Sequence, residues 1–192
     1  EGDTLFNFTR PEVTALAASK VPNEIRKTAA NSLKETGVTQ GICLLVDSND
    51  GILAHELAQR SRLRVIGLEE NREKVRATRR LLTSAGSYGS RVAVHHFDPA
   101  NPLPLNGMFA NLIYLKLEAG QPHLAKRIHA VANWLRPDGG VAFVPFPDGT
   151  ANRQSWLGAL REAATGSGLT VATGDAGDRK STRLNSSHVL IS

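Results

Sequence analysis

The sequence predicts an α/β domain: a doubly wound, mostly parallel sheet with helices on both faces. Three observations carry that expectation. Unbroken apolar runs, of which Gly41 to Val46 is the clearest, read as strands covered on both faces, because such strands lack the in–out alternation of half-exposed ones. These runs alternate with longer segments of helical period, a spacing that implies right-handed βαβ crossovers. Finally, 192 residues with 41% hydrophobic and 21% charged side chains suit one globular core and exclude a fibrous or wholly disordered chain.

Taken in order, apolar and small residues at helical spacing (Val13, Leu16, Ala17, then Ile25, Ala29, Leu33) predict a helical lead-in over residues 1–38, broken at Pro22. Gly41 to Val46 is the first strand, Gly51 to Ser61 a helix and Leu63 to Leu68 the second strand. Asn71 to Ala85 is an Arg-rich helix with one apolar stripe (Val75, Leu81, Leu82), stopped by Gly86. A strand at Val92 to His96, a loop with three prolines from Asp98 to Asn106 and a strand at Ala110 to Leu115 follow. Gln121 to Leu135 is a helix closed by the stop-and-turn signal Arg136-Pro137-Asp138-Gly139-Gly140, and Val141 to Phe146 the fifth strand. Asn152 to Gly166 forms another helix and Leu169 to Thr173 a short sixth strand. The domain is thus expected over residues 39–177, truncated at its C-terminal end.

The tail from Asp178 has no core-forming period, and residues 178–192 are expected to be disordered. Their wording also resembles a recurrent artefact at the ends of translated metagenomic assemblies. The tail contributes three positive charges and one negative, so the formal charge of +5 falls to +3 without it. With Arg and Lys spread over several helices and 5% aromatics, no phosphate-binding stripe emerges, and no nucleic-acid partner is expected. No window approaches the roughly 18 apolar residues of a membrane helix, and the start Glu1-Gly2-Asp3-Thr4 reads as internal to a longer chain. Compartment stays open: cytoplasmic if the domain stands free, with an upstream targeting signal equally compatible. Cys43, inside an apolar run, reads as a buried small hydrophobe.

In an open parallel sheet the ligand lies beyond the carboxyl ends of the strands, where the strand order reverses. The loop after the first strand, Asp47-Ser48-Asn49-Asp50-Gly51, leads straight into a helix whose amides favour an anionic group. It lacks the G-x-G-x-x-G pattern of a dinucleotide site, which weakens a nicotinamide reading. Glu69 ends the second strand about twenty residues on, where a carboxylate can accept both ribose hydroxyls of an adenosine. A solvated surface glutamate is the competing account. After the third strand, Phe97 and Asp98 are placed to meet an adenine ring and its amino group. His95 and His96 have no spaced partner ligand, so no metal is expected. Glu118, after the fourth strand, is the acidic candidate for a catalytic base, against the commoner solvated side chain. Trp134 and Trp156 read as packing residues, and Arg72, Arg76, Arg79 and Arg80 as a solvated helix face.

The strand-loop-helix at Cys43 to Ala54, Glu69, Asp98 and Leu135-Arg136-Pro137-Asp138-Gly139-Gly140 together resemble the Rossmann-like class I S-adenosylmethionine (SAM)-dependent methyltransferases. The wider phrasing, including Tyr88-Gly89, Phe109 to Ile113 and Leu169 to Asp178, resembles the methyltransferase-like segment of planctomycete proteins that continue into a pyrroloquinoline-quinone-type β-propeller. The resemblance implies SAM as cofactor, with Glu69 on the ribose, Asp98 on the adenine, and Asp47, Asn49 and Gly51 lining the methionine end. It also implies transfer of a methyl group to an acceptor the sequence does not name. The family's glycine loop is altered, since Asp47 and Asn49 stand where two of its three glycines are expected and Asp47 adds negative charge beside a ligand carboxylate. A non-catalytic, degenerate module of a larger protein is therefore the alternative reading.

Overall fold

The computed structural model describes residues 21–46, 51–98, 107–117, 123–146, 153–173 and 188–192. Their elements are α1 (Asn23–Thr36), β1 (Gln40–Val46), α2 (Ile52–Arg60), β2 (Arg62–Glu69), α3 (Arg72–Ser84), β3 (Val92–His96), β4 (Leu112–Leu115), α4 (Leu124–Trp134), β5 (Val141–Pro145), α5 (Arg153–Ala164), β6 (Val171–Thr173) and β7 (His188–Ile191). The strands form one sheet in the order β3-β2-β1-β4-β5-β7-β6. Pairs among β1 to β5 are parallel, and β7 runs antiparallel to both β5 and β6.

Alternation along each strand divides the interior into two cores. Leu44 and Val46 of β1, with Ile113, Leu115, Ala142 and Val144, pack beneath Ile128 and Val131 of α4 and Trp156, Leu157 and Leu160 of α5. The intervening residues Cys43 and Leu45, with Leu63, Val65, Val92, Val94 and Phe143, meet Ala29 and Leu33 of α1, Leu57 of α2, and Val75 and Leu82 of α3. Each fully buried leucine or valine contributes about 1.5–3 kcal/mol relative to exposure. Trp134 and Trp156 do pack against the first core.

Local chemistry explains where elements start and join. Asn71 opens α3 by accepting the Glu73 and Lys74 N–H groups on its side chain, and Val75, Thr78 and Leu82 then turn inward at i, i+3 and i+7. Asn111 extends the β1–β4 pairing: its N–H donates to the Ile42 carbonyl and its Oδ1 accepts the Ile42 N–H. The same side chain fills the space a Cβ on Gly41 would need, and Gly41 sits at φ +103°.

Three expectations change. Ala110 is not part of β4, which starts at Leu112; Ala110 instead makes an isolated bridge to Leu135, held by Trp134 and Arg136 backbone bonds. Arg79 is not merely solvated, because its guanidinium donates twice to the Val94 carbonyl, tying α3 to β3. The expected disorder of residues 178–192 fails for 188–192. Val189 and Ile191 are fully buried and point to one face of the sheet, Leu190 to the other, so a three-residue apolar run too short to show a period completes the sheet between β5 and β6. The expected helix around Val13 to Ala17, the three-proline loop and residues 178–187 lie outside the described residues.

Candidate functional site

The sheet order reverses between β1 and β4, whose carboxyl ends lie side by side with Val46 opposite Leu115. This seam is where an open parallel sheet accommodates a ligand. Asp47 and Asn49 lie outside the described residues, and the chain is described again at Gly51, the residue that starts α2. Gly51 is buried with φ +77°, and a Cβ there would run into the Thr78 methyl of α3. Its glycine character therefore serves close packing of α2 against α3, a reason the loop pattern alone did not suggest. The first turn of α2 carries no acidic residue of its own, and Gly51 at its N-cap offers no side chain.

Glu69 ends β2 and is only 5% exposed. Its Oε1 accepts the Asn71 N–H at 2.9 Å, while Oε2 makes no hydrogen bond with any described residue. Its main-chain carbonyl accepts the Phe97 N–H at 2.9 Å, which holds the β2 and β3 ends together. Glu69 is register partner to His96, so Asp98 follows only two residues beyond that pairing. Asp98 is exposed, and Phe97 is partly buried against the first core. The structure thus gathers Glu69, Phe97 and Asp98 at one edge, with Gly51 at the start of the neighbouring helix. A buried carboxylate with one oxygen anchored and the other unsatisfied among the described residues fits a ligand carrying hydroxyl donors, such as a ribose diol.

Glu118 lies outside the described residues, and the described chain after β4 ends with exposed Lys116 and buried Leu117. Arg127 of α4 reaches Glu70 at 3.3 Å, tying that helix to the end of β2. Asn71 was missed in the sequence as a site residue. It caps α3 and donates to Glu69 at once, and the Glu-x-Asn spacing at a strand-to-helix turn was its available signal.

Two titratable groups sit away from this edge. Burial pushes the Cys43 thiol up to about 12, so it stays protonated and unreactive, in keeping with its place in an apolar run. The His55 ring meets the Ser87 hydroxyl at 2.8 Å, both residues buried; burial lowers the His55 pKa, partly opposed by Glu56. Ser87 belongs to the turn that enters β3, and His55 to the first turn of α2, so the pair ties these two segments together. Among the described residues no cluster of His, Cys, Asp and Glu could hold a metal ion, and no helix is long and apolar enough to cross a membrane.

This architecture is that of the class I SAM-dependent methyltransferases, and solved structures with that fold align with the chain. A protein assigned as a SAM-dependent methyltransferase from Methanococcus maripaludis is 20% identical with a TM-score of 0.59, the match covering 66% of this chain and 57% of that one. One assigned as a sarcosine dimethylglycine methyltransferase from Galdieria sulphuraria gives 19% and 0.64, over 78% and 62% of the two chains. Precorrin-6y C5,15-methyltransferase from Geobacter metallireducens gives 16% and 0.59, over 94% and 92%. The chain therefore spans about three-fifths of the length of the first two. No protein-family model matches the sequence. No curated protein matches it either.

Proposed function

We propose that this domain binds SAM along the carboxyl ends of β1, β2 and β3 and transfers its methyl group to an acceptor lying toward β4 and β5. The observation that carries the reading is Glu69: buried, anchored through Asn71 on one oxygen, with the second oxygen available to a ribose diol. Asp98 and Phe97 would receive the adenine, and Gly51, Asn49 and Asp47 would line the methionine end, at the start of α2 where a helix dipole suits a carboxylate. When bound, SAM supplies a methyl group already activated on a sulfonium, so the chain's own task is alignment and exclusion of water.

A second reading, a non-catalytic module of a longer protein that continues into a β-propeller, draws on Gly51. Because its glycine character is explained by packing against Thr78, its retention beside Asp47 and Asn49 needs no cofactor.

Calorimetric titration of the full chain with SAM and S-adenosylhomocysteine separates the two. Micromolar binding is expected, weakened at least a hundredfold in Glu69→Ala and about tenfold or more in Glu69→Gln, which loses a charge-assisted acceptor. Absence of heat and of thermal shift at millimolar ligand, from a folded protein, would remove the enzyme reading and leave the module.

A further inference from the structure

Two side chains of opposite charge emerge on one face of the sheet, on either side of its reversal point. Along β4, Leu112 and Tyr114 face the core beneath α1, α2 and α3, while Ile113, Leu115 and Leu117 face the core beneath α4 and α5. The alternation therefore continues past the last paired residue, and Lys116 emerges on the α2 side. Leu115 and Leu117, 2% and 1% exposed, fix the backbone on both sides of it, so an exposed ammonium extends from a held position. Lys116 makes no ion pair or hydrogen bond with any described residue.

Glu69 shares that face. Along β2, Leu63 and Val65 meet the α2-side core and Leu68 the other, which puts Glu69 on the α2 side, in keeping with its bond to the Asn71 N–H at the start of α3. Val46 of β1 pairs with Leu68 on one flank and with Leu115 on the other, so Glu69 and Lys116 stand level, one residue beyond the paired row. With one strand between them and neighbouring strands about 4.8 Å apart, their backbones are separated by roughly 10 Å. Helices α4 and α5, which carry Arg127 and Arg153, cover the opposite face.

We propose that Lys116 is a specificity-determining residue of the cofactor site, its ammonium receiving the amino-acid carboxylate of SAM while Glu69 receives the ribose diol. This rests on the cofactor reading above and extends it to a residue of β4. SAM carries its diol and its carboxylate at opposite ends of a short flexible chain, and the two protein groups stand apart on one face with the complementary chemistry: an acceptor for hydroxyls and a cation for a carboxylate. The pair thus reads both ends of the ligand, and a nucleoside that lacks the amino-acid part leaves Lys116 unused.

The test is calorimetric titration of the full chain at low salt with S-adenosylhomocysteine and with 5′-methylthioadenosine, which keeps the adenosine and the sulfur and lacks the carboxylate. The wild-type chain should prefer S-adenosylhomocysteine, and that preference should fall about tenfold in Lys116→Ala, through weaker binding of S-adenosylhomocysteine alone. Lys116→Arg should restore part of it, and Lys126→Ala, an exposed cation on the first turn of α4, should change nothing. Glu69→Gln acts on the ribose that both ligands share, so it should weaken both and leave the ratio as it was. A wild-type chain that binds the two alike, or a ratio unmoved by Lys116→Ala, overturns the proposal and leaves the cofactor reading standing. Binding of neither nucleoside to the folded wild-type chain removes the cofactor reading and the proposal with it.

Discussion

On one side of the β1–β4 seam, β1, β2 and β3 run seven, eight and five residues, each joined to the next through a single helix. On the other, β4 to β7 run four, five, three and four, and the strand seated between β5 and β6 is the last in the chain. The first half is assembled from sequence neighbours and stapled by arginines: Arg79 to the Val94 carbonyl, and Arg91 to the carbonyls of Ala58, Ser61 and Leu63. The second half depends on a strand arriving from far along the chain. The lesson is that a long, locally wired half can hold an anchored acid such as Glu69, while the half proposed to face the acceptor is built from short strands.

The largest expected effect tests that dependence. Cutting the chain after Gly177 removes β7 with Val189 and Ile191, whose burial contributes together about 3–6 kcal/mol at the upper end. Urea denaturation should show a lower midpoint, since that is a large share of a typical domain's stability. An unchanged midpoint would break the comparison, because the slot beside β5 would then contribute nothing.

Next comes Gly51→Ala in the locally wired half. Positive φ and the Thr78 methyl together predict a loss of about 2–4 kcal/mol. Thr78→Ser in the same chain should return only part of it, since the crowding goes and the backbone strain stays; full recovery would show that φ is not at issue.

The staple at Arg91 is expected to contribute about 1.5–3 kcal/mol, because a half-buried fork of charge-assisted bonds would be lost in Arg91→Ala and not restored in Arg91→Lys. By contrast Arg76→Ala, which removes an exposed pair with Glu73, should shift stability by about 0–1 kcal/mol. Equal losses at the two sites would mean the staple is no more than a surface contact.

The smallest effect is one of pH. Burial lowers the folded-state pKa of His55 below its ordinary 6.5, so below that value the unfolded chain binds the extra proton first. The stability contributed by the neutral, Ser87-bonded ring is complete above pH 6.5 and falls as pH drops through the folded pKa. His55→Gln should flatten the slope of unfolding free energy against pH in that acid range; an identical slope would assign the dependence to other groups.

Much of the fold was legible because burial on two faces writes itself into the sequence as apolar runs. Gly41 to Val46 and Val92 to His96 were placed within a residue of where β1 and β3 lie. Glu69 and Asp98 were legible as an acid at a strand end and an acid just past one, and the structure puts both at one edge. Asn71 was not, since its double role appears only when the turn closes and its N–H meets the Glu69 carboxylate. Nor was the packing reason for Gly51, because Thr78 is twenty-seven residues away and only the crossing of α2 and α3 brings it close.

By itself the sequence determined the alternation of strands and helices up to Thr173, the buried character of the central strands and the residues at their ends, all of which follow from local period and polarity. Only the tertiary structure decided strand order, the seating of His188–Ile191 beside β5 and the Arg91 staple. The reason is that pairing and side-chain contact across dozens of residues carry no local period: they are set by which buried surfaces can meet once the chain has collapsed.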